Sequence, residues 1–269
     1  MLGLWPDRTE FVDNCSTKVG IVTCINVQRG MRVDGHRRLG TQNFYGITSG
    51  MCGIAGVLDW RTPPDVSELR AMVQALQHRG PDEQGVHLHG PVGLAHARLS
   101  IIDLAGGHQP MSNEDDTIWV SFNGEIFNHL ELRADLERAG HRFKTRSDTE
   151  VLVHLYEAHG DAFVEHLNGQ FAIALWDQNR ERLVLARDRV GIRPLVYTQI
   201  HGRWCWASEA KALFALPEVP RRLHLPTLNE VFTFWSPLGD HHVFEGLHHL
   251  EPGHILTIDR QGAQVRCYW

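Results

Sequence analysis

The sequence predicts an α+β fold, with strands grouped as neighbouring pairs and helices placed between the groups. Three observations predict it. Segments of two-residue alternation recur with turn residues between them, as in Phe171, Ile173 and Leu175 ahead of the turn at 177–180. Helical stripes are bounded by their own caps. The regular strand–helix–strand alternation of a parallel sheet is missing.

Taken in order, residues 54–58 form a short apolar run suited to a buried strand. Asp65 and Glu68 form a capping box ahead of the stripe Leu69, Met72, Val73 and Leu76, with Gly80-Pro81 as its stop. Residues 92–95 and 99–102 read as strand pieces. Ile118, Val120 and Phe122 alternate with polar or amphipathic neighbours, and this strand runs into Asn123-Gly124, a turn signal. Asn128 with Glu131 caps a helix that closes at Gly140; Ser147 with Glu150 caps the next, which closes at Gly160. Residues 171–175 and 183–186 make a hairpin. Residues 204–207 make a further strand, and 255–258 pairs with 265–268 around Arg260-Gln261-Gly262.

The chain has 269 residues, 42% hydrophobic and 22% charged, which suits one large globular domain or two small ones. A net charge of -6 argues against nucleic acid as a partner. Five cysteines at 15, 24, 52, 205 and 267 include no C-x-x-C pair, so neither a disulfide framework nor a zinc site is expected. Scattered reduced thiols fit a cytoplasmic protein. No apolar run reaches the roughly 20 residues of a membrane helix, so no membrane association is expected. Residues 1–50 carry six Lys/Arg against four Asp/Glu, whereas 51–269 carry 20 against 28. The first segment also lacks sustained periodicity, and reads as an unpatterned extension, either an over-called start or a propeptide.

Several features read as structural. The histidines at 87/89, 241/242 and 248/249 are expected on loops or edges, and no metal site is expected. Arg187, Asp188 and Arg189 are expected to form an ion-pair cluster. Trp204 and Trp206 suit an alternating strand, and Cys205 and Cys267 suit buried strand positions.

From Met51 onward, short motifs follow one another in fixed order: Met51-Cys52-Gly53-Ile54, His78-Arg79-Gly80-Pro81-Asp82, the run from Arg98 to Leu104, Gly107-His108-Gln109-Pro110-Met111, Asn123-Gly124-Glu125-Ile126, Ser147-Asp148-Thr149-Glu150, Leu167-Asn168-Gly169, Ala186-Arg187-Asp188-Arg189 and Ser208-Glu209-Ala210-Lys211. The series resembles the glutaminase domain of glutamine-hydrolysing asparagine synthetases, a class II glutamine amidotransferase with an N-terminal nucleophile, over residues 51–269.

The resemblance implies a four-layer α/β/β/α sandwich of the N-terminal-nucleophile hydrolase type. It implies an enzyme that splits glutamine to glutamate and ammonia, with Cys52 as nucleophile and that residue's own α-amine as base. An α-amine has a pKa of about 7.7–8.0 against about 10.4 for lysine, so a useful fraction is neutral near pH 7. The Asn123 side-chain amide and Gly124 N–H would hold the oxyanion. Arg98 would take the substrate carboxylate and Asp148 its ammonium, with Glu125 nearby. Asp148 follows a helix N-cap, which favours its ionised form. Leu99, Ser100, Ile101 and Ile102 would line the pocket, partly through backbone groups.

The implied partners are L-glutamine and a synthetase domain or chain that activates aspartate, with a homodimer as one assembly the resemblance allows. No cofactor is expected in this chain; ATP and Mg belong to the synthetase domain. That domain is expected to be absent here, because no Ser-Gly-Gly-rich or Gly-x-x-x-x-Gly-Lys nucleotide loop occurs before Trp269. Two other readings stay open: the same glutaminase serving another amide-forming ligase, and a catalytically silent binding or regulatory module. Cys52 follows Met51, whose peptide bond makes its nitrogen an amide. Translation from Met51 with loss of that Met, cleavage of a propeptide before Cys52, or retention of a silent extension are the three accounts of residues 1–50.

Overall fold

A computed structural model describes residues 51–100, 103 and 106–269. Strand β1 (Gly53–Leu58) is buried at every position, because both faces are covered. Helix α1 (Val66–Gln74) begins with the predicted capping box: Asp65 accepts from Ser67 N at 2.7 Å and Glu68 accepts from Asp65 N at 3.0 Å. The hairpin β2 (Glu83–His89) and β3 (Val92–Arg98) follows, then the short β4 (Met111–Ser112) and β5 (Ile118–Ile126). Helices α2 (His129–Ala139) and α3 (Asp148–His159) precede a 3-10 turn at Gly160–His166. Next come β6 (Gly169–Asp177), β7 (Arg182–Arg187), β8 (Val196–Ile200) and β9 (Arg203–Ala207). The described chain closes with α4 (Ala210–Leu213), α5 (Leu225–Phe234), β10 (His248–His249), β11 (His254–Asp259) and β12 (Gly262–Cys267).

The strands form two six-stranded antiparallel sheets, ordered β10-β8-β9-β1-β3-β2 and β12-β11-β7-β6-β5-β4. Three separate apolar clusters show how they stack. Ile54, Leu94, Ala174, Leu185 and Trp206 fill the space between the sheets. Leu69, Met72 and Leu76 pack α1 on the outer face of the first sheet, against Ala55, Val57 and Ala95. Val151, Leu152 and Tyr156 pack α3 on the outer face of the second, against Val120, Phe122 and Ile173. Three interfaces make four layers, which is the predicted α/β/β/α sandwich. Among the described residues no helix is long and apolar enough to cross a membrane.

The local differences from expectation have physical causes. Asn123 and Gly124 are not a turn: β5 continues through them, pairing Asn123 with Ala172 and Gly124 with Phe171. Nine consecutive pairs with β6 outweigh the local turn preference. Leu99 and Ser100 lie outside any strand, because β3 ends at Arg98; Ile101 and Ile102 lie outside the described residues. Helix α1 ends at Gln74, ahead of Gly80. A Cβ at Gly80 would lie 2.2 Å from Ala97 O, so this glycine serves a close approach to β3. Asn128 does not cap α2; it donates to His166 O and accepts from Asn168 N. Ser147 caps α3, but Glu150 reaches past it to the N–H groups of Lys144 and Thr145. The 187–189 segment shows no ion pair among the described residues. Instead Arg187 donates to the carbonyls of Gly191, Arg193 and Leu250, and Asp188 accepts from backbone N–H groups. Cys205 is buried in β9 as expected, whereas Cys267 is only half-buried.

Candidate active site

Cys52 sits at the entrance of β1, and the sequence motifs converge on its backbone. Arg79 Nε donates to Cys52 O at 3.0 Å, and its Nη1 donates to Glu209 at 2.7 Å. Ser208 Oγ accepts from Ile54 N at 3.0 Å. Glu209 also meets His78 and Lys211, and these three partners, Arg79 included, outweigh burial and hold its carboxyl down at about 2. The motifs around Arg79 and Glu209 are thus one clamp on the residue that carries the thiol. Leu99 N lies 3.4 Å from Cys52 Sγ and donates to it. Burial pushes the thiol up from its ordinary value; the Leu99 N–H and the charges of Arg98 and Arg193 pull it back, while Asp148 pushes it further up.

β5 brings the opposite side of the site. His96, fully buried on β3, is kept neutral at about 4 by burial, and its Nε2 lies 3.0 Å from Phe122 O. A carbonyl only accepts, so Nε2–H is the donor. Ser121 Oγ donates to Ala95 O at 3.1 Å. These two bonds fix β5 beside the first sheet. β4 pairs with Trp119 and Val120, and beyond them that edge of β5 has no strand partner among the described residues. Alternation directs the N–H groups of residues 122, 124 and 126 to this edge. Phe122 N donates to Gln109 Oε1 at 2.6 Å and Ile126 N to Asp148 Oδ2 at 3.0 Å. The Gly124 N–H lies between them, at a strand edge open to the cleft. A Cβ on Gly124 would lie 2.0 Å from Gln170 O, so glycine is demanded here by β6.

Asn123 is 1% exposed, and neither its Nδ2 nor its Oδ1 has a hydrogen-bond partner among the described residues. Leaving a buried polar group unpaired costs about 1–3 kcal/mol. An amide that spends two such groups on a cavity wall is set up for a ligand rather than for stability.

The cavity holds about 490 Å³ including its open mouth, and Cys52, Arg98, Asn123, Gly124, Glu125 and Asp148 all line it. Arg98 is buried, and its guanidinium donates to Glu83 at 3.2 Å and to Asp103 O at 2.7 Å. Asp148 heads α3, where the helix N-terminus and Ile126 N favour the carboxylate, but burial outweighs them and pushes its carboxyl up. The helix terminus favours the ionised form as the sequence implies, and burial works against it. The cationic Arg98 and Arg193 and the acidic Glu125 and Asp148 all line this one cavity, a charge set that suits a zwitterion.

Of the ten residues singled out from the sequence, seven line this cavity: Cys52, Arg98, Leu99, Asn123, Gly124, Glu125 and Asp148. Ser100 does not; its N–H is taken by Asp82 at 2.8 Å. Ile101 and Ile102 lie outside the described residues. Sequence reasoning missed Arg193 and Gln109. Arg193 is 7% exposed, lines the cavity, and forms no ion pair among the described residues. Burial pulls its guanidinium down, and the charges of Glu125 and Cys52 act against that. Gln109 joins β5 to α3, its Nε2 donating to Thr149 Oγ1 at 3.2 Å. The Gln109-containing motif was visible; only the tertiary structure shows what it spans.

Comparison with known proteins places first the fold and then the family. A solved structure of the allosteric regulatory enzyme of purine biosynthesis matches with a TM-score of 0.60 and 21% identity, over 81% of this chain and 49% of that one. A glutamine phosphoribosylpyrophosphate amidotransferase from B. subtilis matches with a TM-score of 0.59 and 20% identity, over the same shares. Both share the N-terminal-nucleophile hydrolase fold with this chain.

The family model for the glutamine amidotransferase domain matches residues 51–269, and the chain belongs to that family. Its relatives include asparagine synthetase [glutamine-hydrolyzing] 2 of Bacillus subtilis (strain 168), 41% identical over 81% of this chain and 30% of the relative. Asparagine synthetase [glutamine-hydrolyzing] 1 of the same organism is 44% identical over 79% of this chain and 34% of the relative. The chain therefore spans about a third of the length of these curated relatives.

Proposed function

We propose that residues 51–269 hydrolyse L-glutamine to glutamate and ammonia, with Cys52 as nucleophile. The observation that carries this reading is the buried, unbonded Asn123 amide on the wall of the cavity that Cys52 also lines. A thiol raised by burial needs a base. Once the bond from Met51 is cut, the Cys52 α-amine is that base. The thiolate attacks the side-chain carbonyl carbon of glutamine, and the electron pair moves onto oxygen, where Asn123 Nδ2–H and Gly124 N–H receive it. The oxyanion collapses, the C–N bond breaks, and the α-ammonium returns its proton to the leaving ammonia. Water then cleaves the thioester and frees glutamate. Arg98 with Arg193 faces the substrate carboxylate, and Asp148 with Glu125 its ammonium.

The ammonia passes to an ATP-dependent synthetase partner with aspartate as acceptor. Helix α5 and its flank support a docked partner: Phe232 is 79% and Trp235 93% exposed, beside exposed Leu225 and Phe234. The synthetase portion by which the relatives exceed this chain is the occupant we assign to that face.

Met51 lines the same cavity. This favours a second reading for any chain that keeps it: catalytic silence for want of an amine. The test is glutamate release by protein produced from Met51 onward, with its N-terminus determined by mass. Cleaved protein should be active and Cys52→Ala inactive. Equal rates in the two would overturn the enzyme reading, and full activity with Met51 retained would overturn the amine as base.

A further inference from the structure

Two turns along α3 from Asp148 lies a separate cluster. His154 and Glu157 are three residues apart on α3 and share a face. Glu114 joins them from the segment between β4 and β5, and His141 from the segment after α2. His154 Nδ1 lies 3.2 Å from Glu114 Oε2 and 3.0 Å from Glu157 Oε2. His141 Nδ1 lies 3.7 Å from Glu114 Oε1 and 3.5 Å from Glu157 Oε2. One donor atom from each of the four lies within 4.8 Å of all the others.

That spacing is the argument. Four ligands placed tetrahedrally around a metal at about 2.0–2.1 Å stand roughly 3.3–3.4 Å apart. The His–carboxylate separations of 3.0–3.7 Å bracket that value, with Glu114 offering Oε2 to His154 and Oε1 to His141. Imidazole nitrogens and carboxylates are a donor set that zinc-class ions accept.

The surroundings match as well. A ligating imidazole ordinarily turns its other nitrogen toward a carboxylate or carbonyl. His154 is completely buried, and its Nε2 faces Glu150 Oε1 at 3.8 Å with no nearer partner. The carboxylates are oriented too: Asn113 Nδ2 donates to Glu157 Oε1 at 2.8 Å, and Arg142 N to Glu114 Oε1 at 3.0 Å.

We propose that Glu114, His141, His154 and Glu157 form a tetrahedral binding site for a divalent cation of the zinc class, separate from the glutamine cavity. A bound ion pins two segments to α3. Glu150 extends the effect, because its carboxylate also holds the N–H groups of Lys144 and Thr145, just ahead of Ser147 and Asp148. The site is structural, and it stiffens the segment that delivers Asp148. An ion bound only by the native state stabilises it by mass action.

The test uses the full chain, stripped with a chelator and titrated with Co2+. Expected are the intense visible bands of four-coordinate Co2+ at a single equivalent, without thiolate charge transfer and displaced by Zn2+. Zn2+ should also raise the unfolding temperature. The double variant Glu114→Gln/Glu157→Gln keeps nearly the same shape at exposed positions and should lose both signals. His241→Gln, in the exposed cluster with Asp240 and His248, should keep them. Weak six-coordinate bands, equal signals in the double variant, or loss in His241→Gln would each overturn the proposal. No readout involves glutamine, so the result is independent of the function proposed above.

Discussion

The two walls of the candidate cavity are built on opposite principles. On the Cys52 wall the polar groups are spoken for: Arg79 holds Cys52 O, Glu209 gathers Arg79, His78 and Lys211, and Ser208 ties down Ile54. On the β5 wall the Asn123 amide is buried with no partner, and the Gly124 N–H faces an edge without a strand. The first wall is bonded to itself and holds the nucleophile still. The second keeps its donors free at a cost in stability, which is the state a preorganised oxyanion site requires. The difference separates support from chemistry: residues of the bonded wall should cost stability when changed, and those of the unbonded wall should cost rate.

Asn123→Ala gives the largest effect and the sharpest break. In the proposed role, loss of one oxyanion donor lowers kcat about a hundred- to a thousand-fold. The unfolding midpoint should hold or rise, because no hydrogen bond is removed while two unpaired buried polar groups are. A large fall in stability with a small fall in kcat would reverse the assignment of the two walls.

Asp188→Asn should show the opposite pattern. Asp188 is fully buried and accepts from Phe171 N, Val190 N, Ile192 N and Arg193 N at 2.9–3.2 Å. The amide turns a donor toward part of that set. At about 1.5 kcal/mol or more for each bond to a charged group, a loss of roughly 3 kcal/mol is expected. Urea unfolding with an unchanged slope would measure it. An unchanged midpoint would remove the support role of this loop.

The same division explains what could be read from the sequence. The capping box of α1, the β6–β7 hairpin and the run from Cys52 into β1 are local signals, and all three stand in the structure. β2 escaped notice because it is an edge strand with a mixed burial pattern, so its apolar residues do not alternate cleanly. Asn123-Gly124 misled for a related reason. Its local preference is for a turn, but nine cross-strand pairs with β6 and the close approach to Gln170 O decide the outcome. The side chains of Asn123 and Asp148 were legible through their motifs, whereas the absence of partners around Asn123 is a tertiary fact. Arg193 is the plainest miss. One arginine in a loop carries no periodic signal, and its burial against the cavity is imposed by the N–H groups that Asp188 gathers.

Arg193 also supplies the smallest effect and the finest test, because it belongs to neither wall. Its backbone is held by Asp188, as support residues are, yet its guanidinium faces the cavity without an ion-pair partner among the described residues. Burial raises the Cys52 thiol, and the positive charge of Arg193 opposes that rise. Arg193→Met keeps the bulk and removes the charge, so the thiol should ionise at higher pH. Alkylation of Cys52 by a neutral reagent should then slow by about tenfold at a fixed pH near neutrality, on the scale of a partly screened charge at short range. The alkylation profile should move to higher pH with its plateau rate unchanged. If rate and profile match the parent, Arg193 acts on substrate alone, and the bonded wall, through Leu99 N, would be the only local brake on the rise of the thiol besides Arg98.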